Sequence, residues 1–166
     1  KQMKRSLSLA FLAIVFVQQM FAQSLEEGKK FMYYERFSSA KDVFTKVVAA
    51  NPKNEEAAYW LGQAYLALED IAMAKQTYQT ALQGNPASPI LLAGMGQIEL
   101  IENKTTDARN HFDMAVNNTK SKDIEVLHAV GRANAYTTSG DANYGIGLMQ
   151  KATTLKGFKD PSVFVT

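Results

Sequence analysis

Cysteine is absent from the 166 residues of this chain. Its absence excludes thiolate catalysis, disulfide cross-links, zinc sites built on cysteine and a lipid-modified N-terminal cysteine. Histidine is nearly absent too, since His111 and His128 are the only two and they form no HxxxH or HExxH spacing. We therefore expect no bound metal, and we expect each histidine to be a surface or groove residue.

Sequence signatures of catalysis are also missing. The chain has no nucleophile-elbow serine, no phosphate-binding loop and no dinucleotide-binding glycine pattern, so we expect neither an enzyme nor a cofactor. Only 4 prolines and 10 glycines occur, and 46% of the residues are hydrophobic. This composition favours one folded domain with its own core over a disordered chain.

The excess of positive charge is small and lies at one end. The formal net charge is +2, but Lys1, Lys4 and Arg5 belong to the N-terminal segment. Without them, 15 basic residues face 16 acidic ones, which leaves a charge of −1. A nearly neutral chain gives no electrostatic reason to expect a nucleic-acid partner.

The N-terminal segment 1–23 has the order of a secretory signal peptide. Met3-Lys4-Arg5 is basic, Leu7 to Val17 is almost wholly apolar, and a short segment ending near Gln23 precedes the polar Ser24. We predict cleavage near Gln23 and a periplasmic or secreted protein. The apolar run is about half of the roughly 20 residues that a membrane span needs, so we expect no span in the mature chain, with an uncleaved signal anchor as the alternative.

The rest of the chain repeats with a period of 34. Five sets of residues follow this spacing: Gly28, Gly62 and Gly96; Ala40, Ala74 and Ala108; Phe44, Tyr78 and Phe112; Val47, Ala81 and Ala115; Pro52 and Pro86. Small residues that recur at a fixed interval allow helices to pack closely, and a proline ends each unit because the residue before it is pushed out of the helical region. Such a pattern indicates a solenoid of stacked units.

The period and its motif resemble the tetratricopeptide-repeat (TPR) family. The second repeat carries Leu61-Gly62-Gln63-Ala64-Tyr65, then Ala74 and Tyr78, then Pro86, which follow the family pattern L-G-x2-Y, A-x3-F and P. The resemblance implies an all-α fold, a right-handed TPR α-solenoid of antiparallel helix pairs. Its repeats would span about 24–54, 55–88, 89–122 and 123–159, with a fifth beginning at 160–166. We expect helices near 24–36, 38–50, 55–67, 71–83, 89–101, 105–118, 123–137 and 143–155.

The fourth repeat departs from the strict period. Ala152 follows Ala115 by more than one period, which predicts a short insertion near Thr138-Asn143. Asp70 and Asp141 are predicted helix caps. After Asp160-Pro161 the chain ends on an apolar segment, whereas solenoids usually end on a polar capping helix. We interpret the chain as a fragment of a longer array, the alternative being a natural short tail.

The resemblance also implies where a partner binds, because the first helix of each TPR pair lines a concave groove that takes a peptide or helix. Carried over by position, the predicted groove residues are Lys29, Tyr33, Tyr59, Gln63, Gln97, His128, Arg132 and Tyr136. Their spacing of four along each helix keeps them on one face. The alternative for any one of them is a solvated surface position.

We therefore expect a non-enzymatic scaffold of the bacterial cell envelope that binds a protein or peptide partner. An alternative is an N-terminal TPR module of a larger envelope protein with a catalytic or cell-wall-binding domain beyond Thr166. A further possibility is self-association through an open C-terminal face.

Overall fold

The structure, a computed structural model, describes residues 24–158. All regular secondary structure within this range is helical, and no helix in it is long and apolar enough to cross a bilayer. Helix α1 spans residues 24–33. It is followed by α2 (Phe37–Ala50), α3 (Glu55–Ala67), α4 (Ile71–Gly84), α5 (Pro89–Ile101), α6 (Thr105–Asn118), α7 (Ile124–Tyr136) and α8 (Ala142–Thr153). These helices form four antiparallel hairpins, which confirms the predicted all-α solenoid.

Most helix bounds lie close to the prediction, with two differences. The sequence predicts that the first helix reaches residue 36, but α1 ends at residue 33. It also predicts that Asp123 begins the seventh helix. Asp123 instead caps that helix, because its Oδ1 accepts a hydrogen bond from Val126 N at 3.1 Å. The predicted signal peptide at 1–23 and the predicted fifth repeat at 160–166 lie outside the described residues.

The early end of α1 has a local cause that recurs along the chain. Glu35, Glu69 and Asn103 adopt left-handed φ angles of 56°, 62° and 59°, and they are separated by the period of the repeat. The amide that follows each of them donates back across the turn, as in Arg36 N to Phe31 O at 2.8 Å. This is the Schellman arrangement, which satisfies carbonyls that the helix end leaves free. The first three hairpins therefore have tight turns of the same kind.

The fourth hairpin turns differently. Its helices are joined by the longer segment 137–141, which confirms the insertion predicted near Thr138-Asn143. Asp141 then caps α8 by accepting from Tyr144 N at 3.0 Å, and Asp70 caps α4 in the same way. Both predicted caps are confirmed.

The core is one seam that runs from hairpin to hairpin. One cluster of buried side chains joins α1, α2 and α3, the next joins α3, α4 and α5, and the third joins α5 to α8. Each of the first three hairpins thus buries its apolar face against the first helix of the next one, as stacked repeats require. Helix α5 contacts helices on both sides and is the most enclosed.

The repeated glycines face the repeated aromatic rings. Phe44, Tyr78 and Phe112 are at most 1% exposed. A Cβ atom added to Gly28, Gly62 or Gly96 would lie within 3.0 Å of the ring of its own hairpin. Glycine therefore recurs at these positions because the ring occupies the space that a side chain would take.

Candidate partner-binding groove

Three of the predicted site residues line one open groove of about 420 Å³. His128, Arg132 and Tyr136 follow one another at intervals of four along α7, and Met149 of α8 completes the lining. Met149 was not predicted as a site residue. It follows Phe112 by the same interval that separates Ala152 from Ala115. The insertion that shifts Ala152 therefore also places Met149 at the position that Phe44, Tyr78 and Phe112 hold in the first three repeats.

Arg132 provides the charge of this groove. It is exposed and forms no ion pair within residues 24–158. Burial lowers the pKa of the half-buried His128, and the charge of Arg132 lowers it further. The imidazole is therefore neutral at pH 7, and the groove presents one guanidinium beside a neutral ring. Tyr136 at its edge is 81% exposed.

Tyr59 lies deeper in the fold. Its ring stacks on Tyr78 with centroids 6.3 Å apart and meets Trp60 edge-on at 5.6 Å. Burial raises the pKa of Tyr59 to about 12, while the charge of Arg132 lowers it and that of Glu125 raises it. Tyr59 of α3 is thus close enough to α7 for the charges of Arg132 and Glu125 to change its pKa.

Gln63 and Gln97 bind each other. Gln63 Nε2 donates to Gln97 Oε1 at 2.7 Å and to the Tyr78 hydroxyl at 2.9 Å. The Tyr78 hydroxyl in turn donates to the Tyr59 carbonyl at 3.3 Å. Both amide hydrogens of Gln63 are therefore used inside the protein, and the two glutamines tie the second hairpin to the third.

Lys29 is also held by neighbours within the fold. Its ammonium forms ion pairs with Glu56 of the next hairpin and with Glu26, the latter at 3.1 Å, and lies 5.9 Å from the Trp60 ring centroid. Burial lowers the pKa of Lys29, but the hydrogen bonds and charges of Glu56 and Glu26 outweigh burial and raise it. Glu125 on α7 belongs to the same region, because burial raises its pKa, Glu56 raises it further and Lys29 lowers it.

Tyr33 is separate from the other predicted residues. It ends α1, is 41% exposed and packs edge-on against Tyr34 with ring centroids 4.9 Å apart. His128, Arg132 and Tyr136 line a groove, while Lys29, Tyr59, Gln63 and Gln97 make contacts between or within hairpins.

His111 is a partly exposed residue of α6 that pairs with a carboxylate of α5. Its Nδ1 lies 2.7 Å from Oε2 of Glu99, a carboxylate that is almost wholly buried between α5 and α6. A buried carboxylate needs a hydrogen-bonding partner, and His111 supplies it. One sign of this pairing is visible in the repeat pattern, since Glu99 stands where the second repeat has Tyr65. No group of three potential metal ligands occurs among the residues that the structure describes.

Comparisons with known proteins agree with this architecture. A family model described as "Tetratricopeptide repeat" matches residues 31–81. Tetratricopeptide repeat protein 1 of Schizosaccharomyces pombe (strain 972 / ATCC 24843) is 27% identical over 99 residues, or 60% of this chain. The match spans only 9% of that protein's length.

Solved structures show the same fold at low identity. A crystal structure of MamA has a TM-score of 0.53 at 19% identity, covering 81% of this chain and 77% of that one. MamA 41-end from Desulfovibrio magneticus RS-1 has a TM-score of 0.51 at 17% identity, covering 84% and 77%. The matched family model and the four hairpins stacked in the register of the repeat support a tetratricopeptide-repeat protein, and the solved structures show the same fold.

Proposed function

We propose that the chain is a non-catalytic scaffold that holds a peptide or a helix of a partner protein in the groove of α7 and α8. Tetratricopeptide repeats generally serve as protein-interaction modules without catalytic activity. The observation that carries the proposal is the Arg132 guanidinium, which has no ion-pair partner within residues 24–158 and lies beside Tyr136 and Met149 in an open groove.

The chemistry of these side chains defines the partner. Arginine and tyrosine are among the residues that contribute most to binding energy at interfaces. A carboxylate or a backbone carbonyl of the partner would pair with Arg132, and an apolar side chain would pack on Met149 and Tyr136. Gln63 and Lys29 contribute through the shape of the surface, because the amide hydrogens of Gln63 and the ammonium of Lys29 are already paired.

Peptides selected from a display library against the chain provide the test. Arg132→Gln and Tyr136→Ser are each expected to weaken a selected peptide by about tenfold or more, which corresponds to about 1.4 kcal/mol. Lys122→Gln and Met114→Ser are matched controls, because both side chains are exposed and lie outside the groove. Equal losses in the control variants, or none in the groove variants, would reject the site.

We also propose that the scaffold works in the cell envelope or outside the cell, with residues 1–23 as a cleaved signal peptide. The order of basic, apolar and polar segments supports this proposal. N-terminal sequencing of the protein from a periplasmic extract is expected to begin near Ser24. A product that keeps Met3 and remains in the cytoplasmic fraction would contradict the envelope location and leave the groove hypothesis standing.

A further inference from the structure

Met149, in the groove of α7 and α8, holds the position that a helix covers in the first hairpin. A Cβ atom on Gly28 would lie within 3.0 Å of the Phe44 ring. A Cβ atom on Gly131 would lie equally close to Met149, so Met149 is the structural equivalent of Phe44. Helix α3 covers Phe44, since Trp60 stacks on its ring with centroids 6.4 Å apart. In the described part of the chain, no helix covers Met149 in this way, and it lines the open groove instead.

The first hairpin also shows how a cation beside this position is satisfied. Lys29 and Arg132 are equivalent, because each directly follows the glycine of its own hairpin. The ammonium of Lys29 forms an ion pair with Glu56 in the first turn of α3. It also lies 5.9 Å from the ring centroid of Trp60, which comes four residues after Glu56 in the same helix. The covering helix thus supplies both a carboxylate and an aromatic ring to the cation.

This pairing depends on the charge of the covered residue. Gln63 holds the position of Lys29 in the second repeat, and the helix that covers it has Ile90 in place of the carboxylate. The Gln63 amide binds that of Gln97 instead. A cation under a helix needs an anion, because burying an unpaired charge is costly. A helix that covers Arg132 therefore has to match it as α3 matches Lys29.

We propose that the partner held by this groove is a helix with a carboxylate in its first turn and an aromatic side chain four residues later. The carboxylate pairs with Arg132, and the ring packs on Met149 and on the guanidinium. A carboxylate in the first turn is also favoured by the dipole of its own helix. The inference rests on the proposed function, since it names the partner of the same groove.

The sequence that follows the described residues does not carry this pair of side chains. Counted from Asp160, which is predicted to start a fifth repeat as Asn54 caps α3, the two positions hold Ser162 and Thr166. Neither residue offers a carboxylate or an aromatic ring. Charge and shape thus favour a helix of another protein as the occupant.

A synthetic peptide with the sequence of residues 54–67, which is α3 with its cap, is the probe. An isolated helix of this length is marginal in water, so a hydrocarbon link holds the peptide helical, and circular dichroism verifies that its variants are equally helical. Fluorescence anisotropy measures binding of the labelled peptide to the full chain. The peptide variants Glu56→Gln and Trp60→Ala should each bind about tenfold more weakly or worse. Glu55→Gln is the matched control, because Glu55 of α3 contacts Asn85 and Ser88 and not Lys29.

A charge exchange locates the peptide in the groove. Arg132→Glu in the protein should weaken the parent peptide by about tenfold or more, and the peptide variant Glu56→Arg should recover that loss. Lys122→Glu is the control for this change, because Lys122 is exposed and lies outside the groove. It should leave the affinity unchanged.

Three results overturn the proposal: no binding of the parent peptide up to about 300 µM, equal losses with Glu55→Gln and Glu56→Gln, or no recovery in the charge exchange. The first result is also the one expected if another segment of this chain fills the groove. Library-selected peptides distinguish this failure from that of the proposed function. If they respond to Arg132→Gln while the α3 peptide does not bind, the helix is wrong and the scaffold stands. If they do not respond either, both proposals fail.

Discussion

Two glycines of α8 provide the sharpest test of how the last hairpin packs. Gly145 and Gly147 lie in the same helix, with one residue between them. A Cβ atom on Gly147 would meet nothing within 4 Å, whereas one on Gly145 would lie 2.6 Å from the carbonyl oxygen of Gly131 and 3.1 Å from Cβ of Asn134. Gly147→Ala and Gly145→Ala therefore make the same chemical change in opposite environments.

The expected effects follow from two contributions. Replacing a glycine inside a helix with alanine stabilises the helix by about 1 kcal/mol. Gly147→Ala should show this gain alone. Gly145→Ala should also push α8 away from the backbone of α7, which cannot yield as a flexible side chain can, and overpacking of this kind costs about 1–3 kcal/mol. Because the helix contribution cancels, the two variants should differ by about 1–3 kcal/mol.

Urea unfolding followed by circular dichroism measures this difference, provided that the m-values of the two variants agree. Thermal midpoints should separate in the same sense, by roughly 2–4 °C for each kcal/mol. If both variants were stabilised equally, the close approach of α7 and α8 at Gly145 would be refuted. Destabilisation by Gly147→Ala would refute the open space beside it.

Three further predictions concern the junction, the core and the groove. Lys120 stands where the family pattern has proline, but its φ angle is 53° and its amide donates to Asn117 O. Proline has neither that φ angle nor an amide hydrogen, so Lys120→Pro should destabilise the protein in urea unfolding. Lys120→Gly should stabilise it by about 1 kcal/mol, because glycine adopts the left-handed conformation without strain. Tyr78→Phe keeps a ring that fits this column but removes the hydroxyl that binds Gln63, so it should cost about 1–2 kcal/mol in urea unfolding, and an unchanged midpoint would show that this bond contributes nothing. The lowered pKa of His128 means that its contribution to stability is full above the unfolded pKa of about 6.5 and declines as the pH falls through the folded pKa. The stability difference between wild type and His128→Gln should decline as the pH falls below about 7, and a difference that does not change with pH would contradict this expectation.

The period of the repeat was sufficient to predict the hairpins, most of their bounds and the insertion in the fourth turn. These features depend on local properties of the chain, such as proline after Asn51 and caps at Asp70 and Asp141, or on a column of glycines that matches a column of rings. Local signals of this kind repeat with the sequence, so they can be read directly from it. The left-handed turn at Glu35 was missed because glutamate carries no sign of that conformation.

Only the tertiary structure shows which of the predicted groove residues are already paired within the fold. Gln63 and Gln97 stand in the same column as Arg132, yet the two amides bind each other while the guanidinium has no ion-pair partner in the described chain. Lys29 likewise meets Glu56 only because the first hairpin stacks on the second. The sequence by itself determined which side chains share one face of each first helix, since that depends on helical spacing alone. The distances between hairpins, which no periodicity encodes, decided which of those side chains satisfy one another and which are left for a partner.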